Sequence, residues 1–255
     1  MNFYKLTSGK LAAVAIGLCC AGPAAADANY YAGAELAYAI AILDSDNPSP
    51  DSRTGLSIVA SYRQPTDAAS FYAALSGDGQ YQTSGPNPAQ TPIADAYLAS
   101  FATAGASAVS GSIDSFQIGW FELAFANAGP YSYKLNVTLD YTLHALAHGA
   151  YAEAMLYFDY WDDAGIGSSQ DLALASAFPG QADDGQNVPG SAYWQLLLAP
   201  GATVNLYAQA GILSHLDTAA FAPVPLPSAG WLFAAHVAGW LRRRAKSSRG
   251  KLMPA

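Results

Sequence analysis

From Tyr131 to His144 the chain alternates without a break. Tyr131, Tyr133, Leu135, Val137, Leu139, Tyr141 and Leu143 hold one phase, and Ser132, Lys134, Asn136, Thr138, Asp140, Thr142 and His144 hold the other. A period of two belongs to a strand with one buried face; on a helix the same apolar positions would scatter around the axis. Such a strand needs a second layer over its apolar face. Gly149 then offers a turn into Ala150 to Trp161, where Leu156, Phe158 and Tyr160 continue the alternation, so a hairpin is expected there. Pro200-Gly201 sits in the same way between Ala192 to Ala199 and Thr203 to Leu213, where Val204, Leu206, Ala208, Ala210 and Ile212 share a face. That predicts a second hairpin.

Phe116, Ile118 and Trp120 alternate in one phase and Phe121, Leu123 and Phe125 in the other. A bulge at Trp120-Phe121 would bring both sets to the core. Leu36 to Leu43 and Gly55 to Tyr62 read as strands, although the alanines at 34, 37, 39 and 41 leave helix open for the first. Gly and Pro mark loops at Asn47 to Pro50, Ser84 to Pro92 and Pro179 to Gly190. Many short strands separated by turn residues predict an all-β fold, an antiparallel β-sandwich of which the jelly roll is one form, filling residues 27–222 as one domain.

The two ends differ from this body. Lys5 and Lys10, the apolar run Leu11 to Leu18 and the small residues Ala24-Ala25-Ala26 follow the order of an export signal, which predicts a signal peptide at 1–26, cleavage after Ala26 and a mature chain starting at Asp27. Cys19 and Cys20 both lie upstream of that cut, so the mature body is expected to hold no disulfide, thiolate metal site or cysteine nucleophile. Of the 11 basic residues only Arg53, Arg63 and Lys134 fall between Asp27 and Ala222, together with all 19 acidic ones; 3 against 19 gives the body a net charge of −16. A surface of that sign repels phosphate backbones, and no nucleic-acid partner is expected.

Residues 221–241 carry no Asp, Glu, Lys or Arg, and Arg242, Arg243 and Arg244 follow at once. An apolar segment ended by a basic stop is the pattern of a membrane-held tail with its arginines on the cytoplasmic side. The apolar part after Pro227 is about 14 residues, roughly 21 Å as a helix against a hydrocarbon core of about 30 Å, so a transient hold is expected. Val224-Pro225-Leu226-Pro227, the segment Ser228-Ala229-Gly230-Trp231-Leu232-Phe233 and the arginine cluster together resemble a PEP-CTERM sorting domain over residues 223–255. That resemblance implies recognition of the Pro-containing motif by an exosortase-type membrane transpeptidase, cleavage beside it, and transfer of the ectodomain to the cell surface or to exopolysaccharide. The strand-rich body, with its late segment Leu196 to Val204, also resembles the ectodomains that precede such tails.

Within the body the chemistry-bearing residues are loop carboxylates. Asp159, Asp162, Asp163 and Asp171 form the densest set, with Asp183 and Asp184 beside Asn187 and Asp44, Asp46 and Asp51 as further groups. Hard oxygen donors in loops suit calcium, and weak calcium binding at Asp159 to Asp171 is the one cofactor expectation, since no EF-hand spacing is present. His144 and His148, four apart on a strand, stand about 13 Å from each other, too far for one zinc ion. They are expected to be two solvated histidines. Tyr157, Tyr160 and Trp161 beside acidic residues have the chemistry to stack on sugar rings, or to pack in the core. No nucleophile elbow, phosphate loop or metalloprotease helix is present, and Gly105-Ala106-Ser107-Ala108-Val109 lacks the last Gly of an elbow. The sequence therefore predicts a non-enzymatic exported protein of the cell surface or extracellular matrix, tied to exopolysaccharide or biofilm. A calcium- or carbohydrate-binding sandwich is the alternative, and a hydrolase using an unrecognised carboxylate pair the third.

Overall fold

The computed structural model describes residues 27–48, 53–165, 169–179 and 181–218. The expected export signal at 1–26 and the expected sorting tail at 223–255 lie outside the described residues. Every regular element among those described is a strand: β1 (Ala28–Ser45), β2 (Leu56–Arg63), β3 (Phe71–Ser76), β4 (Gln80–Ser84), β5 (Gln90–Pro92), β6 (Ala96–Ser107), β7 (Ser112–Asn127), β8 (Tyr133–Gly149), β9 (Ala152–Asp162), β10 (Ser169–Ala177), β11 (Asp184–Leu198) and β12 (Thr203–Asp217). They build two antiparallel sheets. One has five strands in the order β11-β8-β1-β6-β4; the other has the order β10-β9-β12-β7-β2-β5, with β3 also paired to β7, seven strands in all.

The sheets meet through their apolar faces in a sandwich-like arrangement with one core. Tyr133, Leu135, Val137, Leu139, Leu143 and Ala145 of β8 are fully buried, and so are Leu156 and Phe158 of β9 and Leu206, Ala208, Ala210 and Ile212 of β12. Across the interface the Tyr141 and Phe158 rings lie 4.6 Å apart. Aromatic pairs at this spacing add to the area buried.

The alternation of β8 is as expected, but its partner is not. β8 pairs with β1 and β11, whereas β9 pairs with β10 and β12 in the other sheet. No hairpin forms at Gly149. The chain turns a corner there, with Gly149 at φ 85° and Tyr151 at φ 46°, and a side chain at Gly149 would collide with the Asp27 carbonyl oxygen. The second expected hairpin is a corner too: β11 stays with β8, and after Pro200-Gly201 the chain enters the seven-stranded sheet as β12. The physical reason is the same in both cases. Burial of one phase says which face meets the core, and that is equally true of a strand beside and a strand opposite. The one consecutive pair joined as a hairpin is β9–β10.

The expected bulge in β7 is absent. Its register against β12 runs without a shift from Ser112 to Ala126, and the odd positions face inward throughout, so Phe116 and Trp120 point to the outer surface. The inward places beside them hold Ser115, Gln117 and Gly119, of which Ser115 and Gln117 form a polar seam in the core. Tyr30 Oη lies 3.2 Å from Ser115 Oγ, Ser115 Oγ lies 2.6 Å from Ser214 Oγ, and Tyr81 donates to Gln117 Oε1 at 2.7 Å. Paired in this way, buried polar groups avoid the penalty of unmet hydrogen bonds. Pro179 to Gly190 is only partly a loop, because Asp184 to Gly190 is already β11; Pro189 is tolerated there since β11 is an edge strand.

Side chains clip the crossings at both ends. Asp78, between β3 and β4, accepts hydrogen bonds from Ser107 Oγ at 2.6 Å and from the amides of Ala108, Val109 and Ser110 at 3.1, 2.9 and 3.1 Å. Asn127 Nδ2 donates to the carbonyls of Tyr131 and Leu198 at 2.7 and 3.1 Å, tying the β7–β8 crossing to the end of β11.

Candidate functional site

The outward phase of the seven-stranded sheet can be followed row by row through the register. Tyr72, Phe116, Leu213, Met155 and Leu174 lie opposite one another across β3, β7, β12, β9 and β10. The next row is Ile118, Gly211, Tyr157 and Leu172, followed by Arg63, Trp120, Gln209 and Asp159, and then Ser61, Glu122, Tyr207 and Trp161. Tyr72, Leu213, Leu172 and Leu174 are each more than two-fifths exposed. The first two rows thus make a contiguous apolar and aromatic stretch of the outer surface. Tyr157 folds its ring down over Gly211, where any side chain would collide with it.

Where the last two rows meet, the surface sinks into a groove of about 240 Å³ lined by Ser61, Arg63, Trp120, Glu122, Trp161 and Tyr207. The Trp120 and Trp161 rings stand at 87° with centroids 5.7 Å apart, and Trp161 is stacked on Tyr207 at 5.7 Å and 24°. The Arg63 guanidinium lies over Trp120 at 5.3 Å. Ser61 Oγ donates to Glu122 Oε2 at 3.3 Å. Tyr207 donates to Asp163 Oδ1 at 3.1 Å; desolvation, and then this bond, raise its phenol above the ordinary value.

No known protein family, curated protein or solved structure matches this chain. The site has to be read from its own chemistry.

The four carboxylates expected to hold calcium do not converge. Asp159 is on the outer face opposite Gln209, and burial raises its pKa. Asp171 is in register with Phe158 on the inner face, where it accepts a hydrogen bond from Tyr141. Asp162 caps the Ala164 amide at 3.0 Å, and Asp163 accepts from the Asn205 amide at 2.7 Å. Residues 166–168 of this hairpin lie outside the described residues. Among the described residues no three His, Cys, Asp or Glu side chains are placed to share a metal. His144 and His148 both line β8: His144 Nδ1 lies 2.7 Å from Asn187 Oδ1, and His148 Nδ1 lies 2.6 Å from Asp183 Oδ1.

Of the three aromatics read as able to stack on sugars or to pack in the core, Trp161 alone lines the groove. Tyr160 points between the sheets, edge-on to Trp194 at 5.6 Å. Sequence reasoning missed Trp120, Tyr207, Arg63 and Glu122; the signal for Trp120 was present in the even phase of β7, which the expected bulge folded away.

A wider hollow of about 1070 Å³ lies over the five-stranded sheet, with Glu35, Ser100, Asp140 and Thr142 on its floor and Pro86 and Pro88 at its side. Glu35 is in register with Thr142, and Asp140 with Ala37, so the two carboxylates are diagonal neighbours. Tyr97 also borders this hollow, but its ring is stacked on Tyr38 at 6.3 Å. No helix among the described residues is long and apolar enough to cross a membrane; this leaves strands aside.

Proposed function

We propose that the chain is an exported, non-enzymatic protein of the cell surface or extracellular matrix, released from a transient membrane hold by an exosortase-type transpeptidase and joined to exopolysaccharide. The observation that carries this reading is the order of the carboxyl-terminal residues, Val224-Pro225-Leu226-Pro227, an uncharged segment to Leu241 and then Arg242 to Arg244, placed after a body whose buried core runs from Ala28 to Leu216. A body that encloses its own core has no packing need for a further apolar segment, and a sorting tail that is cut away fits that arrangement. The same reading has 1–26 removed during export and the sandwich displayed as an ectodomain.

Mass spectrometry of the protein from its own host tests this. A mature chain that begins at Asp27, ends near Pro227 and carries added mass is expected. An exported chain that keeps Met1 or Ala255, or normal processing of a Pro225→Ala, Pro227→Ala variant, overturns it.

A further inference from the structure

We infer that the groove lined by Trp120, Trp161 and Tyr207 is a binding site for an uncharged sugar ring of a polysaccharide. A pyranose offers a face of C–H bonds and an edge of paired hydroxyls, so its binding site needs a flat aromatic wall next to planar polar groups. Both are present here. The two indoles at 87° form walls, and Arg63 and Glu122 stand on the neighbouring strand positions. Arg63 is stacked on Trp120 and makes no ion pair among the described residues, so the donors of its guanidinium fork remain for hydroxyl oxygens. Glu122 is oriented by Ser61, which leaves its carboxylate to accept from hydroxyls.

The charges decide the class of ring. An anionic sugar would meet Glu122 and a body with 19 acidic and three basic residues. A cationic one would meet Arg63. A wholly apolar ligand would cover Arg63 and Glu122 without partners for them. An uncharged polyol satisfies all of these groups at once, and about 240 Å³ is room for a single ring, with the rest of the chain running out over the exposed rows beside it. This site does not depend on the tail or its processing, so either reading can fail while the other stands.

Affinity electrophoresis of the purified full chain tests the site, in native gels containing hydroxyethylcellulose, xylan, galactomannan or alginate. Retardation by at least one of the three uncharged polysaccharides and none by alginate is expected. Trp120→Ala and Trp161→Ala should each weaken the retardation about tenfold. Glu122→Gln keeps the shape and hydrogen-bonding reach of the side chain while removing its charge, and should weaken it less. Circular dichroism of each variant checks that the fold is kept; should a Trp variant unfold, Arg63→Gln, which removes an exposed guanidinium stacked on Trp120 and leaves the core untouched, takes its place with a severalfold loss expected. Retardation by none of the four gels overturns the proposal, as does retardation by alginate alone or unchanged retardation of the folded variants.

Discussion

The outer faces of the two sheets are built from the same alternating pattern and carry different chemistry. On the five-stranded sheet the outward places of β1 and β8 are mostly small or polar, with Gly33, Ala37, Ala39 and Ala41 beside Asn136, Thr138, Asp140 and Thr142. Its large exposed side chains, Leu43, Leu98, Leu146, Tyr193 and Leu197, are dispersed among them. On the seven-stranded sheet one row, Tyr72, Phe116, Leu213, Met155 and Leu174, is apolar or aromatic across five strands, and each further row carries at least one large aromatic side chain among its residues. Sandwich stability demands only the inner faces. The difference between the outer faces is therefore not imposed by the core, and the face of the seven-stranded sheet is the one that carries the groove.

Substitutions can break or sharpen this contrast. The largest effect belongs to the interior both faces share: Phe158→Ala, in the core against Tyr141, should cost about 3–5 kcal/mol in a urea titration, whereas Tyr157→Ala, one residue along on the outer face, should cost far less. Comparable losses would mean that the outer aromatics hold the fold and are not held ready for a ligand.

Acid should come next. The Ser107 hydroxyl, with the Ser110, Ala108 and Val109 amides, holds the Asp78 carboxyl down to about 2. A depressed carboxylate contributes stability above its unfolded value near 3.8 and loses it as the pH falls toward 2. Thermal melts between pH 5 and 2 should show a steeper decline in the native protein than in Asp78→Asn, which starts lower. Parallel declines would remove Asp78 as the clip between the β3–β4 and β6–β7 crossings.

A smaller and more selective effect concerns the apolar rows. Leu213→Lys with Leu174→Lys should change stability by about 0.5 kcal/mol or less per site while reducing the fluorescence of a bound hydrophobic dye. Thr138→Lys with Thr142→Lys on the opposite sheet should leave that fluorescence unchanged. Equal dye responses would erase the contrast between the faces. The smallest effect is spectroscopic: Asp163→Asn should lower the pH at which Tyr207 ionises, seen in ultraviolet absorbance, because the hydrogen bond to Asp163 adds to desolvation in keeping that phenol neutral.

What could be read from the sequence follows the reach of a period-two pattern. It identifies the buried phase of β8, from Tyr133 to Ala147, because each side chain there reports its own face. It does not say which strand lies alongside, so Gly149 and Pro200-Gly201 looked like hairpin turns although each carries the chain to the other sheet. The same limit hid the groove. Reading Phe116, Ile118 and Trp120 as core residues assumes that aromatics go inward, and on β7 the inward places went to Ser115 and Gln117, which find partners in Tyr30 and Tyr81. Trp161 was visible beside its acidic neighbours, but Trp120 and Arg63 join it only through strand pairing over long stretches of chain.

The position of β1 also sets an order of events in time. The first strand of the body lies in the middle of its sheet, between β6 and β8, so it stays unpaired on one edge until Ala96 to Ser107 has been made and on the other until Tyr133 to Gly149 has followed. Connections that keep switching sheets leave few contacts that can form locally, and chains of that kind fold slowly. A chain that cannot finish its first sheet until more than half of it has been made stays open for longer, which is in keeping with the export proposed above.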